Sequence, residues 1–269
     1  MIGAPFETRL ERLELKYLVD EPTAARVRRA ILPYCRPDAH NARPMGAGRA
    51  ASRGYPVLSL YLDTPGLAFH RAKERGDPER MKLRIRRYRG QDGFYLEQKL
   101  RSADVVQKTR ALVAGGGLRD SAQGQAKLHR DTPDARRFVE HFGCLVLSTG
   151  AEPTLRVRYA REAYESEVDA YARVTFDRDV EFQRTAEWEL DGDPRGWFDL
   201  ESSLAAGAPR PLVILEVKCA TSIPAWLHDV IRSCDLRRDS VSKYSLGIYL
   251  TRRLDGAPWG SERSRGVFR

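Results

Sequence analysis

The sequence predicts a mainly β protein (α+β) whose strands close into a barrel with a few flanking helices. Two observations carry this. Short runs rich in β-branched and aromatic residues follow one another, separated by turn residues, and few segments have helical spacing. Within those runs charged residues recur at every second position, so each strand offers a charged face backed by an apolar one. A length of 269 residues suits one large β domain, and 42% hydrophobic residues suffice for a core. No fixed-period repeat or linker is visible, so one domain is expected over residues 1–251, followed by a flexible basic tail over 252–269.

In chain order, residues 11–19 alternate polar and apolar side chains as a strand does. Asp20 then caps a helix running to Leu32, with Pro22 in its first turn. Residues 40–54, rich in Gly, Arg, Ala and Pro, read as a loop. Residues 57–63 read as a strand, 69–76 as a short helix or turn, and 81–89 as a strongly basic strand. After a turn at Gln91-Asp92-Gly93, residues 94–100 and 106–113 read as two more strands. Residues 114–126 are Gly-rich and loop-like, and 133–142 read as a helix. Residues 153–164, 170–177 and 180–189 form a meander, with turns at 166–169 and at Arg178-Asp179. Residues 212–219 are an apolar strand ending in charge, 224–234 an amphipathic helix, and 244–250 close the ordered region.

The chain carries 46 Lys and Arg against 37 Asp and Glu, a net charge of +9. Such an excess implies an anionic partner: nucleic acid, an acidic membrane or a polyanionic small molecule. Cys35, Cys144, Cys219 and Cys234 are far apart without a CxxC pair, which argues for reduced thiols and against zinc or a disulfide framework. Residues 1–8 lack the pattern of a signal peptide, and no run approaches the length of a membrane helix. The expectation is a soluble cytoplasmic protein.

The arrangement of charges narrows the partner. Glu14 and Lys16 share a strand face; so do Lys82, Arg84 and Arg86, opposite Leu83 and Ile85. Glu97 pairs with Lys99, Lys108 with Arg110, and Arg156 with Arg158 around Val157. Arg173, Thr175 and Asp177 flank Val174 and Phe176, and Glu216 and Lys218 flank Val217. Solvated strands usually mix both signs with Thr, Ser and Gln, whereas roughly a dozen of these positions are basic. If these faces turn inward, the apolar faces must be covered by about three amphipathic helices. A ring of inward cations repels itself unless an anion binds there, and a run of phosphates suits Arg forks and Lys point charges. The inward carboxylates Glu14, Glu97, Asp177 and Glu216 would orient the basic side chains, and one or two would hold a hard divalent cation.

At these residues the chain resembles the VTC domain of the vacuolar transporter chaperone family, a branch of the triphosphate tunnel metalloenzymes, which include the CYTH proteins. The resemblance rests on Glu14-Leu15-Lys16-Tyr17, Ser59-Leu60-Tyr61-Leu62-Asp63, Lys82-Leu83-Arg84-Ile85-Arg86-Arg87-Tyr88 and Leu96-Glu97-Gln98-Lys99. It continues through Lys108-Thr109-Arg110, Arg156-Val157-Arg158-Tyr159, Arg173-Val174-Thr175-Phe176-Asp177, Leu215-Glu216-Val217-Lys218 and Ser242-Lys243-Tyr244-Ser245, spanning about residues 9–250.

The resemblance implies a closed eight-stranded antiparallel tunnel that binds tripolyphosphate, a nucleoside triphosphate or polyphosphate with Mn²⁺ or Mg²⁺. It further implies transfer of the γ-phosphate of ATP to a polyphosphate chain. Carried over, Lys16, Arg84, Arg86, Lys99, Arg156, Arg158 and Lys218 would be catalytic. Lys82, Lys108, Arg110, Tyr159, Arg173, Ser242 and Lys243 would bind phosphate, and Glu216, Glu14 and Glu97 would hold the metal. The eukaryotic relatives' setting adds a membrane-protein partner, which would bring the chain to the inner face of a membrane. CYTH hydrolases begin with Glu-x-Glu-x-Lys; here Arg12 takes the first position, which favours the VTC branch.

No P-loop pattern, metal-spaced histidines or His-supported nucleophile is visible. Three functions remain: a polyphosphate polymerase, a metal-dependent triphosphatase or polyphosphatase in the same tunnel, and a non-catalytic polyphosphate-binding module. Nucleic acid is disfavoured, because Tyr88, Tyr95 and Tyr159 form no recognisable RNA motif.

Overall fold

The computed structural model describes residues 6–11, 13–41, 54–103, 105–169, 171–203, 212–220 and 222–254. The chain opens with β1 (Phe6–Glu11), β2 (Leu13–Asp20), α1 (Glu21–Ile31), β3 (Cys35–Pro37), β4 (Tyr55–Asp63) and α2 (Ala68–Arg75). It continues through β5 (Glu79–Tyr88), β6 (Phe94–Ser102), β7 (Val105–Val113), α3 (Leu118–Ala122), α4 (Pro133–Thr149), β8 (Glu152–Ser166) and β9 (Ala172–Arg184). It ends with β10 (Phe198–Asp199), α5 (Leu200–Ser203), β11 (Leu212–Cys219), α6 (Ala225–Ser233) and α7 (Lys243–Leu254). No helix among the described residues is long and apolar enough to cross a membrane.

The antiparallel strands run β1-β7-β6-β5-β4-β8-β9-β11-β2, with β10 added to β9 and β3 to β8. The two ends of this path, β1 and β2, are consecutive in the chain. The N-terminal strand is split: Phe6–Glu11 pairs with β7, and Leu13–Asp20 pairs with β11. Among the described residues neither half is paired along both edges, so the expected closed eight-stranded barrel is a curled sheet with a seam. Lys99 on β6 and Glu14 on β2 form an ion pair at 2.5 Å across the interior.

Capping explains the helix starts. The Asp20 carboxylate accepts from Thr23 N at 2.9 Å to begin α1, and Thr132 Oγ1 accepts from Ala135 N at 3.2 Å to begin α4. The apolar stripes of α1 and α6 pack on the outer face of β2, β9 and β11, burying Val27, Ile31, Val174, Phe176 and Leu215. α4 covers the outer face of β5, β6 and β7 through Phe138, Phe142 and Val146, against Leu83, Ile85 and Leu96. α7 does something different. It packs against the inner face at one end of the sheet, onto Leu155, Val157 and Phe182. Its Gly247 makes the close approach possible, since a Cβ there would lie 2.5 Å from Leu155 Cδ2 and Phe182 Cδ1.

Several local expectations change. α7 extends through Leu254, three residues into the segment read as tail, and 255–269 lie outside the described residues, as does Arg12. Most of the loop read at 40–54 also lies outside them. The turn expected at Arg178-Asp179 is an irregularity within one strand: β8–β9 pairing shifts register there, and Asp179 has φ of 50°. α3 lies inside the Gly-rich stretch read as loop.

Candidate functional site

The inner faces of the strands enclose a cavity of about 1340 Å³. Sixteen lysines and arginines line it against five aspartates and glutamates, so its ligand must be anionic. Cross-strand register makes the point sharper. Lys82 on β5 lies directly opposite Lys99 on β6, which lies opposite Lys108 on β7. Arg80 faces Arg101, and Lys218 on β11 faces Arg173 on β9. Like charges directly opposite destabilise a sheet, and here they are repeated on the same inner face.

The protonation states register the strain. Burial lowers the Lys82 ammonium, and Lys16, Lys99 and Lys73 push it further down. Its Nζ donates to Ser242 Oγ at 3.0 Å. Burial also pulls Lys108 down to about 8, with Arg84 and Arg110 adding to the effect and Glu97 opposing it.

Two groups of carboxylates answer these cations differently. Glu97, 2% exposed, is held by Arg84, by Lys108 Nζ at 3.1 Å and by Arg86 at 3.9 Å. Burial opposes its ionisation, yet Arg84, Lys108 and Arg86 keep it well below the usual carboxylate range. Both oxygens face cations, and the side chain sits behind the cavity wall. Glu97 is therefore an organiser of three cations, and the metal-ligand role expected of it does not fit.

Glu14 and Glu216 do reach the cavity. Their carboxyl groups adjoin each other, and Lys16, Lys218 and Lys99 overcome the burial of Glu14 to hold it well below its ordinary range. Glu216 meets Lys16, Lys218 and Arg161 only at 3.7–3.8 Å, beyond hydrogen-bond reach. Two adjoining carboxylates, one with its cations held off, fit a hard divalent cation that completes its shell with water and phosphate oxygens. No cluster of three or more metal-type side chains occurs among the described residues, so the protein alone does not form a full cage.

Of the other residues expected in the tunnel, Lys16, Lys82, Arg84, Arg86, Lys99, Lys108 and Arg110 line the cavity, as do Tyr159, Arg173, Lys218, Ser242 and Lys243. Lys243 donates to Asp177 at 2.5 Å, and Arg161 grips the same carboxylate at 2.7 and 2.8 Å. Tyr159 lies beneath both cations, its ring centroid 4.8 Å from Lys243 and 5.3 Å from Arg161.

Arg156 and Arg158 are the exceptions. Both project from the outer face of β8. Arg156 bonds the Glu189 carbonyl at 2.7 Å and Gln183 at 2.9 Å, and Arg158 forks onto Glu181 beneath Trp197. The inward positions of β8 at that level are Leu155 and Val157, which receive α7; Tyr159 and Arg161 take over farther along. Arg161, Arg80, Arg101 and Tyr61 line the cavity without having been singled out from sequence. For Arg161 a signal existed, since it stands two residues beyond Tyr159 on the same face.

The family model described as "VTC domain" matches residues 11–252. No curated protein matches the chain. Among solved structures, protein PH1819 from Pyrococcus horikoshii OT3 is 15% identical, with 91% of this chain and 99% of that chain covered and a TM-score of 0.43. A candidate adenylate cyclase from Bacillus halodurans is 11% identical over 97% and 99%, with a TM-score of 0.46. A candidate adenylyl cyclase from Hippeastrum, described as having a dominant triphosphatase activity, is 14% identical over 93% and 98%, with a TM-score of 0.45. The family match runs from the start of the cavity wall through β2 to its end in α7, and the chain belongs to the VTC domain family.

Proposed function

We propose that the chain is a polyphosphate polymerase that transfers the γ-phosphate of ATP to a polyphosphate chain inside the cavity. The observation that carries this reading is the directly opposed row Lys82–Lys99–Lys108, continued by Arg84, Arg86 and Arg110 on the same faces. Such a row is a poor arrangement for an empty cavity and a good one for a linear polyanion. The four residue steps along β5 from Lys82 to Arg86 span about 13 Å, enough to track several consecutive phosphates.

In the proposed reaction a terminal oxygen of polyphosphate attacks the γ-phosphorus of ATP in line. The bond to the β,γ-bridging oxygen breaks, and ADP leaves with the electron pair. The attacking phosphate is largely ionised near neutral pH, so no protein base is required. The chain's residues contribute position and charge. Arg84, fixed by Glu97, and Arg86, whose Nε donates to Ser59 Oγ at 3.1 Å, present guanidinium groups held in place before substrate arrives. Lys243 of α7 and Arg161 of β8, both fixed by Asp177, do the same beside them. A divalent cation, Mn²⁺ or Mg²⁺, held by Glu216 with Glu14, would neutralise charge on phosphate oxygens.

The test is product analysis of the protein with ATP, Mn²⁺ or Mg²⁺ and a short polyphosphate primer, following chain length, ADP and free phosphate. Chains that lengthen as ADP appears support the polymerase, and Arg84→Ala or Glu216→Ala should cut the rate roughly a hundredfold or more. Free phosphate without elongation would replace it with a triphosphatase. Neither product, across metals and primers, would leave a polyphosphate-binding module.

A further inference from the structure

The cavity wall changes character beyond Arg86. There Tyr55, Tyr88, Tyr95 and His40 gather, all of them lining the cavity. The His40 ring lies 5.1 Å from Tyr55 and 6.0 Å from Tyr88, the latter nearly parallel at 17°. Tyr55 and Tyr88 are 6.1 Å apart, and Tyr88 and Tyr95 5.9 Å. Tyr55 is anchored, its hydroxyl donating to Asp38 at 3.2 Å, and Arg173 grips the same carboxylate at 2.7 Å. Arg86 and Arg110 lie over the Tyr88 and Tyr95 rings at 5.9 and 4.9 Å, but four rings are more than two guanidinium groups need. A planar heterocycle has a use for them.

Beside the rings stands Gln91, in the turn between β5 and β6, with its backbone N–H donating to Tyr88 O at 3.2 Å. Gln91 is half-buried and lines the cavity. Its Nε2 and Oε1 are both shielded from solvent, and beyond a loose approach to Tyr95 neither has a hydrogen-bond partner among the described residues. A shielded amide with no well-formed hydrogen bond is costly, and because Gln91 lines the cavity, the edge of a bound heterocycle would satisfy it.

We propose that this end of the cavity reads the base of the nucleotide donor, with adenine stacked on the Tyr55–Tyr88 cluster and its amino and ring-nitrogen edge paired to the Gln91 amide. The inference rests on the ATP-donor reading above and adds its base specificity. A glutamine amide pairs bidentately with adenine, donating to N7 and accepting from the N6 amino group. Guanine presents two acceptors on the same edge, so the amide oxygen would face O6. Stacking alone tolerates any base; the amide is what distinguishes adenine.

The experiment is calorimetric titration of ATP, GTP and tripolyphosphate into the full chain, repeated with Gln91→Leu and with Tyr88→Leu. The wild-type protein should bind ATP about tenfold or more tighter than GTP. Gln91→Leu should bring that ratio near one, and Tyr88→Leu should weaken both nucleotides about tenfold. Tripolyphosphate, which lacks a base, reports whether each variant keeps an intact cavity. Equal affinity for ATP and GTP in a wild-type protein that binds tripolyphosphate would overturn this inference and leave the phosphate site standing. A Gln91→Leu variant that keeps the ATP preference would also overturn it. Failure of the wild-type protein to bind any of the three would overturn the cavity reading and this inference together.

Discussion

β5 and β8 carry nearly the same motif, Arg84-Ile85-Arg86 on one and Arg156-Val157-Arg158 on the other, and they point it in opposite directions. On β5 the arginines face the cavity, and Ile85 is buried under α4. On β8 the arginines face outward and Val157 faces in. The difference comes from the third element at each place. β5 is covered from outside, so its apolar face must turn out. β8 receives α7 from inside, and a helix whose Gly247 approaches within contact of Leu155 and Phe182 demands an apolar inner face there. The strand then restores its polar interior at Arg161, beyond the reach of the plug. Alternation in a sequence fixes that two faces differ; which face is inside depends on where a distant helix lands.

The contrast can be broken most forcefully at the contacts that hold each arginine pair. Glu97→Ala leaves Arg84, Arg86 and Lys108 without their shared counter-charge and should cost about 3–5 kcal/mol in urea denaturation. Tripolyphosphate should recover part of that loss by binding the folded state. Arg156→Ala breaks bonds to Gln183, to a backbone carbonyl and to Glu187 and should cost about 1–3 kcal/mol, with tripolyphosphate giving no more protection than it gives the unaltered protein. Equal recovery in the two variants would mean that Arg156 and Arg158 also serve the ligand.

A smaller effect concerns pH. Lys108 is drawn down by burial to about 8 from its ordinary 10.5. Burial acts to raise Tyr88, but Arg86, Lys108 and Arg110 pull it down to about 7 from its ordinary 10.0. Both groups therefore carry fewer protons in the folded protein than in the unfolded chain between about pH 7 and 10. Where the unfolded state binds more protons, stability rises with pH. The ligand-free protein should gain stability across that window while its affinity for tripolyphosphate falls as Lys108 loses its charge. Denaturation and binding measured at matched pH values check both signs; a parallel rise in the two would contradict the assignment of Lys108 to the cavity.

Much of this was legible in the sequence. The β strands from residue 55 to 113, the capped helix after Asp20 and the strand at 212–219 follow from alternation and turn residues, and the inward charges of β2, β5, β6, β7 and β11 follow with them. The split of the first strand was not legible, because pairing partners on opposite edges leave no local mark. Nor was the role of Glu97, whose spacing to Lys99 matches that of Glu14 to Lys16. What separates Glu97 from Glu14 is the neighbour across the ladder: Arg84 and Arg110 flank Glu97, whereas Glu14 faces Lys218 and lies beside Glu216. Strand register, a non-local property, decides which carboxylate is consumed by arginines and which stays available.

The most direct test is calorimetric titration of tripolyphosphate into the wild-type protein, Arg86→Ala and Arg158→Ala at one salt concentration. Loss of a charge-assisted phosphate contact should weaken binding about tenfold or more in Arg86→Ala, while Arg158→Ala stays within about twofold of wild type. Equal losses in the two variants, or a greater loss in Arg158→Ala, would contradict a phosphate site built on the inner face of β5 and closed to Arg156 and Arg158 of β8.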